Sequence, residues 1–193
     1  MTTTSSSVNK LFWGLLIVMI DIRIGGFDLV PDVIGYFIVV SGIGELQFHS
    51  SYFSKAKPLA LMLAFFSIGT IFEGSVIPIN EYIPSSQSIY ILTALILIGI
   101  LHAVLLYFIV HGLMEMVAKQ ELSRLCSSAY NRLAIYLFFT FAILACIPFI
   151  LTIGDTNTFY VLFLSSILGL GLEILMLALL RSFRSTFRTT FSM

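Results

Sequence analysis

The sequence predicts an all-α polytopic membrane protein, a bundle of about six transmembrane helices with both termini in the cytoplasm. Of its 193 residues, 59% are hydrophobic and only 10% are charged, against roughly 25% charged residues in soluble domains. The mean hydropathy is +1.04. The apolar residues form separate runs, and a bilayer-spanning helix needs about 20 such residues. The basic residues fall almost entirely on one side of these runs, and basic loops remain in the cytoplasm.

The first two apolar runs are the shortest. They cover residues 11–24, weakly after residue 20, and residues 31–46. Asp28 is a candidate N-cap of the second helix, and Pro31 is tolerated in its first turn. Runs this short also suit a re-entrant hairpin. Either form returns the chain to its starting side, so the orientation of the later spans does not depend on the choice.

Four longer apolar runs follow and complete the predicted bundle. Pro58 is expected to open the third span, and the fourth is expected to continue as a helix to Leu122. The loops after the third and fifth spans carry no basic residue. The four spans are Leu59 to about Ile77, Ser88 to Val110, about Leu133 to Ile153, and Phe159 to Leu180.

The distribution of Lys and Arg fixes the predicted orientation. Nine of the ten basic residues share one side, which the positive-inside rule identifies as the cytoplasm. Arg23 alone lies on the opposite side. The residues on the cytoplasmic side are Lys10, Lys55, Lys57, Lys119, Arg124, Arg132, Arg181, Arg184 and Arg188.

The predicted organisation is one transmembrane domain, residues 10–182, between two tails. Residues 1–9 are polar and low in complexity, which predicts disorder. No small-residue cleavage site follows the first span, so we expect it to be uncleaved. In residues 183–193, Phe side chains recur every four residues. Arg184 and Arg188 lie between them, and Arg181 precedes them. This pattern predicts an interfacial helix with its rings in lipid and its arginines against anionic headgroups, the alternative being a protein-docking role.

Two ionisable residues lie deep within predicted spans. His102 and Glu173 are each about 12 to 13 Å along their helices from the cytoplasmic end, at about 1.5 Å per residue. Residues at equal depth can pair, and hydrocarbon disfavours the charged form of each, so a pair can exchange a proton near neutral pH. Ionisable groups inside a span are functional candidates. The alternative is a structural hydrogen bond between helices.

A charge cluster is predicted at the outer end of the first hairpin, formed by Asp21, Arg23, Asp28 and Asp32. Residues two apart do not face each other on a helix, so Arg23 is expected to pair with Asp28 or Asp32 across the turn. One interpretation is a cation or headgroup site, because three carboxylates outnumber one guanidinium. The other is an ion-paired interfacial turn, since charges at helix ends reach the headgroups at little cost.

Small residues on the second and sixth spans predict close helix packing. They are Gly35, Ser41, Gly42 and Gly44, and Ser165, Ser166, Gly169 and Gly171. Glu45 and Glu73 lie near the two interfaces, where snorkelling or hydration explains them. His111 and Glu115 share a helix face, but a zinc-protease helix needs two histidines flanking its glutamate. We therefore predict no metal and no cofactor.

The segment Asp21-Ile-Arg-Ile-Gly-Gly-Phe-Asp-Leu-Val-Pro-Asp-Val-Ile-Gly-Tyr36, within Leu11 to Leu46, resembles a group of uncharacterised multi-pass membrane proteins of Gram-positive bacteria. The resemblance covers under a fifth of the chain. It implies a bacterial plasma membrane and brings no activity and no functional residues.

The sequence leaves two classes of function open, since it contains no nucleophile elbow, phosphate loop or zinc-protease motif. The first is a non-enzymatic accessory or regulatory membrane factor that acts through lateral contacts with another membrane protein or a second copy. The second is a small proton- or cation-coupled transporter that uses His102 and Glu173. A lipid-modifying enzyme is disfavoured. Nucleic acid is not an expected partner, because the net charge is zero and the basic residues form no stripe.

Overall fold

A computed structural model describes residues 3–20, 23–24, 27–28, 32–70, 86–118, 123–150 and 155–190. Within these ranges the chain forms six helices and one antiparallel pair of two-residue strands, so the predicted all-α class is confirmed. The helices are α1 Thr3–Met19, α2 Asp32–Leu46, α3 Ser51–Thr70, α4 Ser86–Ala118, α5 Ser123–Ile150 and α6 Asp155–Thr190. The strands are β1 Arg23–Ile24 and β2 Phe27–Asp28.

Three of the described helices are long and apolar enough to cross a membrane. The candidate spans are Thr93–Ala118 in α4, Arg124–Phe149 in α5 and Tyr160–Thr189 in α6. Each also presents large apolar side chains outward, such as Leu95, Phe138 and Leu164, which are 56%, 69% and 67% exposed. A lipid-facing helix needs this outward apolar surface. Membrane residence therefore agrees with the structure at the level of these three helices.

The six helices pack in a closed ring. Each helix contacts the next one along the chain, and α6 returns to contact α1. The first two helices run antiparallel, since Lys10 and Gly14 of α1 contact Glu45 and Gly35 of α2 in reverse order. The helices α4 and α5 are also antiparallel, since Gly99 lies near Leu144 and Met114 near Cys126. The buried side chains of all six helices form one continuous core inside the ring.

The closest helix contact joins α1 to α2. A Cβ atom at Gly14 would lie 2.7 Å from the carbonyl oxygen of Gly35, and one at Gly35 would lie 2.6 Å from that of Gly14. Further along, a Cβ atom at Gly42 would lie 3.0 Å from the carbonyl oxygen of Ser7. Any side chain at the first two positions would push the backbones apart. Packing through Gly35 and Gly42 agrees with the prediction for the second span.

The prediction for the amino terminus was wrong. Residues 3–9 belong to α1 instead of forming a disordered tail. Ser5 and Val8 are 1% and 0% exposed, and the Ser7 hydroxyl donates a 2.5 Å hydrogen bond to Glu45. Serines are polar but small, so they pack between helices as readily as alanine and extend the contact made by the glycines.

Two predicted helix boundaries are also corrected. The third helix begins at Ser51, and Pro58 lies inside it rather than opening it. The second helix begins at Asp32, so Asp28 lies in β2 and is not its N-cap. Pro31 lies outside the described residues, as does Glu73.

The predicted lipid-facing tail is corrected by the packing of α6. This helix continues without a break to Thr190, and Phe183 and Phe187 are both 0% exposed within the core. Their rings therefore pack against protein and not against lipid. Phe191 lies outside the described residues.

The small residues of the sixth span do not pack as predicted. Among the described residues, and apart from the helix's own adjacent backbone, no atom lies within 4 Å of the position that a Cβ atom would take at Gly169 or Gly171. The small-residue pattern of this span nevertheless resembles that of α2. Neighbouring side chains at Ile167 and Leu170 are 53% and 52% exposed. This stretch of α6 faces outward from the described part of the chain.

Candidate functional site

Four helices direct one polar side chain each to a common point inside the ring. The Tyr36 hydroxyl of α2 lies 2.9 Å from Nδ1 of His102 in α4. Nε2 of His102 lies 3.4 Å from Oε1 of Glu173 in α6, and the Tyr136 hydroxyl of α5 donates to the same oxygen at 2.9 Å. The four residues form a continuous chain of polar contacts, which we call the Tyr-His-Glu-Tyr network.

The network satisfies His102 in both of its charge states. When the imidazole is neutral with its proton on Nε2, Nδ1 accepts a hydrogen bond from Tyr36. When the imidazole is protonated, Nδ1 donates and the tyrosine oxygen accepts, because a hydroxyl fills either role. Glu173 accepts from Tyr136 and faces Nε2 in both states. A proton can thus be gained or lost at His102 without leaving a ring nitrogen unpaired.

The His102–Glu173 contact is partly shielded and not tightly hydrogen-bonded. The two side chains are 13% and 25% exposed, and their 3.4 Å separation exceeds the 2.7–3.2 Å of an ordinary N–H···O bond. In a medium of low dielectric constant, charge attraction at this distance is stronger than in water. The pair therefore interacts through charge attraction, at a separation longer than that of an ordinary hydrogen bond.

The network lines a cavity of about 300 Å³. Polar groups of His102, Glu173 and Thr140 meet apolar side chains there, so the cavity has both a polar and an apolar wall. A volume near 300 Å³ is the lower end of the range for small-molecule sites. The lining residues are Val18, Met19, Tyr36, Leu95, Ile98, Gly99, His102, Tyr136, Thr140 and Glu173.

Sequence reasoning singled out His102 and Glu173 but missed their partners. Both ionisable residues interrupt apolar runs, which makes them conspicuous. Tyr36, Tyr136 and Thr140 carry no such signal, because hydroxyl-bearing side chains are common in and around spans. The spacing of Asp32 and Tyr36 by one helical turn was the available clue that Tyr36 shares a face with a charged residue.

The predicted outer charge cluster is only partly described. β1 pairs with β2 so that Arg23 lies opposite Asp28 in the strand register, which places the two backbones side by side. Asp21 and the side chains of Arg23 and Asp28 lie outside the described residues. Asp32 is close enough to Tyr36 and His102 to act on them electrostatically. It does not itself line the cavity.

His111 and Glu115 are held apart from the network by their own partners. Nδ1 of His111 lies 3.0 Å from the Tyr107 carbonyl oxygen, and Glu115 accepts a 2.5 Å hydrogen bond from Ser50. Within the described ranges, no group of three or more His, Cys, Asp or Glu side chains is placed to hold a metal ion.

The three arginines of the predicted tail differ in exposure. Arg181 and Arg188 are exposed, and Arg184 is half-buried. With Phe183 and Phe187 turned into the core, Arg181 and Arg188 lie on the outward side of the same helix.

Comparison with family models, curated proteins and solved structures finds no match for this chain.

Proposed function

We propose that this chain is a multi-pass protein of the bacterial plasma membrane that couples the movement of a small cation to that of a proton, with the His102–Glu173 pair as the exchanging site. One observation supports this most strongly: four helices each supply one member of the Tyr-His-Glu-Tyr network, and all four line one cavity. A bundle held together by apolar packing alone needs no such network.

The energetic argument is that ionisable groups inside a membrane protein are costly. Central Asp, Lys or Arg residues cost about 2.5–3.5 kcal/mol each on insertion scales. A solely structural link between α4 and α6 is achieved by neutral hydrogen-bonding residues at lower cost. A histidine and a carboxylate beside a cavity instead supply two groups that accept or release protons.

The chemistry of the pair favours exchange. With one proton shared, neutral histidine with neutral acid and imidazolium with carboxylate both have zero net charge. Loss of that proton leaves the site with one negative charge. Either a proton or a monovalent cation then neutralises it, so the two bind in competition. Competition at one site couples their movements across a membrane when that site opens alternately to the two sides.

Flux through proteoliposomes tests this proposal. Vesicles that contain a pH-sensitive dye receive an outward proton gradient, and monovalent cations are added outside. We expect cation-dependent proton movement in wild type, loss of it in Glu173→Gln, and its retention in Glu115→Gln. Glu115 is a matched control because it is also a hydrogen-bonded glutamate but accepts from Ser50, away from the cavity. Equal proton movement in Glu173→Gln and wild type contradicts the proposal.

A second candidate function is that of an accessory factor acting through lateral helix contacts, with a second copy or another membrane protein. It is favoured by the open surface at Gly169 and Gly171 of α6, since small residues permit close approach of helices in lipid. Energy transfer between labelled copies in liposomes tests self-association. Loss of transfer in Gly169→Ile with wild-type flux supports this candidate, and unchanged transfer opposes it.

Exposed arginines at the end of α6 are proposed to contact anionic lipid headgroups. Arg181 and Arg188 point away from the core, and each basic residue near an anionic surface contributes about 1 kcal/mol. The arginines, without the Phe rings, carry this contact. This proposed lipid contact and the positive-inside rule both support a carboxyl terminus at the inner leaflet.

A further inference from the structure

We infer that the cavity beside the His102–Glu173 pair binds a small organic monocation with an apolar body, such as a single-ring quaternary ammonium ion, in exchange for one proton. The inference rests on the proposed function and specifies the class of its cargo. It follows from the charge, the lining and the size of the cavity.

The charge of the site selects a cation over an anion. None of the ten lining residues is Lys or Arg, and Glu173 supplies a carboxylate. Asp32 adds negative potential at Tyr36 and His102. The groups that face the pair are, by helix, Val18 and Met19 of α1, Tyr36 with Asp32 nearby on α2, His102 on α4, Tyr136 and Thr140 on α5, and Glu173 on α6. Among the lining residues, His102 alone becomes positively charged, and only when it holds a proton. The cation displaces that proton when it binds.

The lining selects an organic cation over a metal ion. Half of the ten residues are apolar, with Val18 and Met19 from α1 and Leu95 and Ile98 from α4. A hard metal ion needs about six oxygen ligands around it, whereas four lining residues, Tyr36, Tyr136, Thr140 and Glu173, carry side-chain oxygens and the apolar wall adds none. The wall instead stabilises an apolar body, because burial against it removes apolar surface from water. The two walls thus match a ligand with a charged end and an apolar end.

The tyrosines favour an alkylammonium group in particular. Tyr36 and Tyr136 line the cavity on two helices, and phenol rings attract quaternary ammonium ions through cation–π interactions. Such an ion has no N–H group, so it requires no hydrogen-bond acceptor. It also leaves the hydroxyl contacts of the network intact.

The volume of the cavity matches a small ligand. About 300 Å³ is the lower end of the range of ligand sites, which suits one ring with a trimethylammonium group. When the cation enters, an N–H or O–H bond of the pair breaks and the proton passes to water. One positive charge enters and one leaves, so the charge of the site is conserved and no redox step is involved.

Equilibrium binding of benzyltrimethylammonium to the purified full-length protein tests the inference. Titration calorimetry in detergent at pH 8.5 should give saturable binding with one site per chain. Affinity should fall about tenfold per pH unit wherever the pair holds the competing proton. In weakly buffered solution, binding should release up to one proton per cation. Benzyl alcohol, which has the ring without the charge, and tetraphenylphosphonium, which has four rings, should both fail to bind.

Two substitutions distinguish the effect of the Glu173 charge on binding from a general effect on folding. Glu173→Gln should lower the affinity at least tenfold, whereas Glu115→Gln should bind like wild type. If Glu173→Gln does not fold, the pH dependence and proton release of wild type still decide the matter. Absence of saturable binding, affinity independent of pH, or equal binding of benzyl alcohol would overturn the inference.

The binding experiment and the flux experiment can refute the cargo class and the proposed function independently of each other. Glu173-dependent flux with inorganic cations but no binding of benzyltrimethylammonium leaves the proposed function standing and refutes the cargo class. Proton-linked binding without flux in proteoliposomes supports the ligand class and refutes transport.

Discussion

The imidazole of His102 in α4 and the carboxylate of Glu173 in α6 approach to 3.4 Å inside a ring of six described helices. A tyrosine hydroxyl lies at each end of the pair. The contact therefore joins two helices that are not neighbours along the chain and places both groups beside a cavity.

Removing the charge of Glu173 should destabilise the bundle. Glu173→Gln leaves His102 without its charged partner and gives the Tyr136 hydroxyl a neutral acceptor in place of a charged one. A hydrogen bond to a charged group contributes about 1.5–3 kcal/mol. We expect a loss of this size in the free energy of unfolding, measured by denaturing titration in mixed micelles. In a double-mutant cycle with His102→Ala, the two losses should be less than additive. Strict additivity would show that the residues do not interact.

Tyr36→Phe should change how activity depends on pH more than it changes stability. The substitution removes the hydroxyl that partners Nδ1 of His102 in both charge states. We expect a stability loss of about 1 kcal/mol and a displaced pH profile of proton-coupled flux. Tyr107→Phe is the control, since Tyr107 stacks on His111 away from the cavity. A pH profile like that of wild type would mean that Tyr36 has no part in proton binding.

A methyl group at Gly14 should disrupt the α1–α2 contact. Its Cβ atom would lie 2.7 Å from the carbonyl oxygen of Gly35, and overpacking of this kind costs about 1–3 kcal/mol. Gly171→Ala is the control because, in the described part of the chain, no atom outside the adjacent backbone of α6 lies within 4 Å of that Cβ position. The change also gains up to about 1 kcal/mol of helix propensity. Thermal unfolding should therefore move in opposite directions for the two variants. Equal midpoints would contradict the packing described here.

The Lys10–Glu45 ion pair predicts a pH dependence at the end of the first helix pair. A hydrogen bond from Lys10 and a second from Ser7 hold the pKa of the Glu45 carboxyl below its ordinary value of 4.5. A lowered pKa stabilises the folded state fully above that value and stabilises it progressively less as the pH falls below it. Both side chains are about 40% exposed, so the contribution is under about 1 kcal/mol.

Comparison of wild type with Glu45→Gln measures this contribution. The difference between their thermal midpoints should be constant from pH 8 to about pH 5 and should shrink as the pH falls further. A difference that persists unchanged well below the ordinary pKa would refute the assignment.

Substitutions at the end of α6 should distinguish the contribution of core packing from that of lipid contact. Phe183 is 0% exposed, so Phe183→Ala should cost about 3–5 kcal/mol of stability. The double variant Arg181→Gln and Arg188→Gln should leave stability nearly unchanged and weaken binding to vesicles rich in anionic lipid. Unfolding titrations and vesicle-composition assays measure the two effects. If Phe183→Ala is neutral, the ring does not belong to the core.

Sequence patterns predicted the helical class because a membrane-spanning helix requires a long apolar run, and the basic residues lie mostly on one side of such runs. Both features are visible in the sequence. They failed where small polar residues pack. Ser5 and Ser7 read as part of a polar tail, yet serine is small enough to be buried beside α2. The glycines of α2 and α6 read alike, and the rotation of each helix within the ring decides that Gly35 is packed and Gly171 open.

Half of the network was accessible from the sequence. His102 and Glu173 stand out because charge inside an apolar run is rare, and their equal depth indicated that they can meet. Tyr36 and Tyr136 were not identified, because tyrosine is compatible with core, cavity and interface alike. Only the relative rotation of four helices brings these hydroxyls to the pair, and no local pattern records that rotation.

The most direct test of the central claim is the nitrogen NMR spectrum of His102 as a function of pH, with the protein in lipid bilayers. The claim is that the His102–Glu173 pair takes up and releases a proton. We predict that the Nδ1 and Nε2 resonances of His102 change together as the pH is varied, and that the pH at which they change moves in Glu173→Gln. Resonances that stay constant from pH 5 to pH 9 would contradict the claim and would assign the pair a structural role.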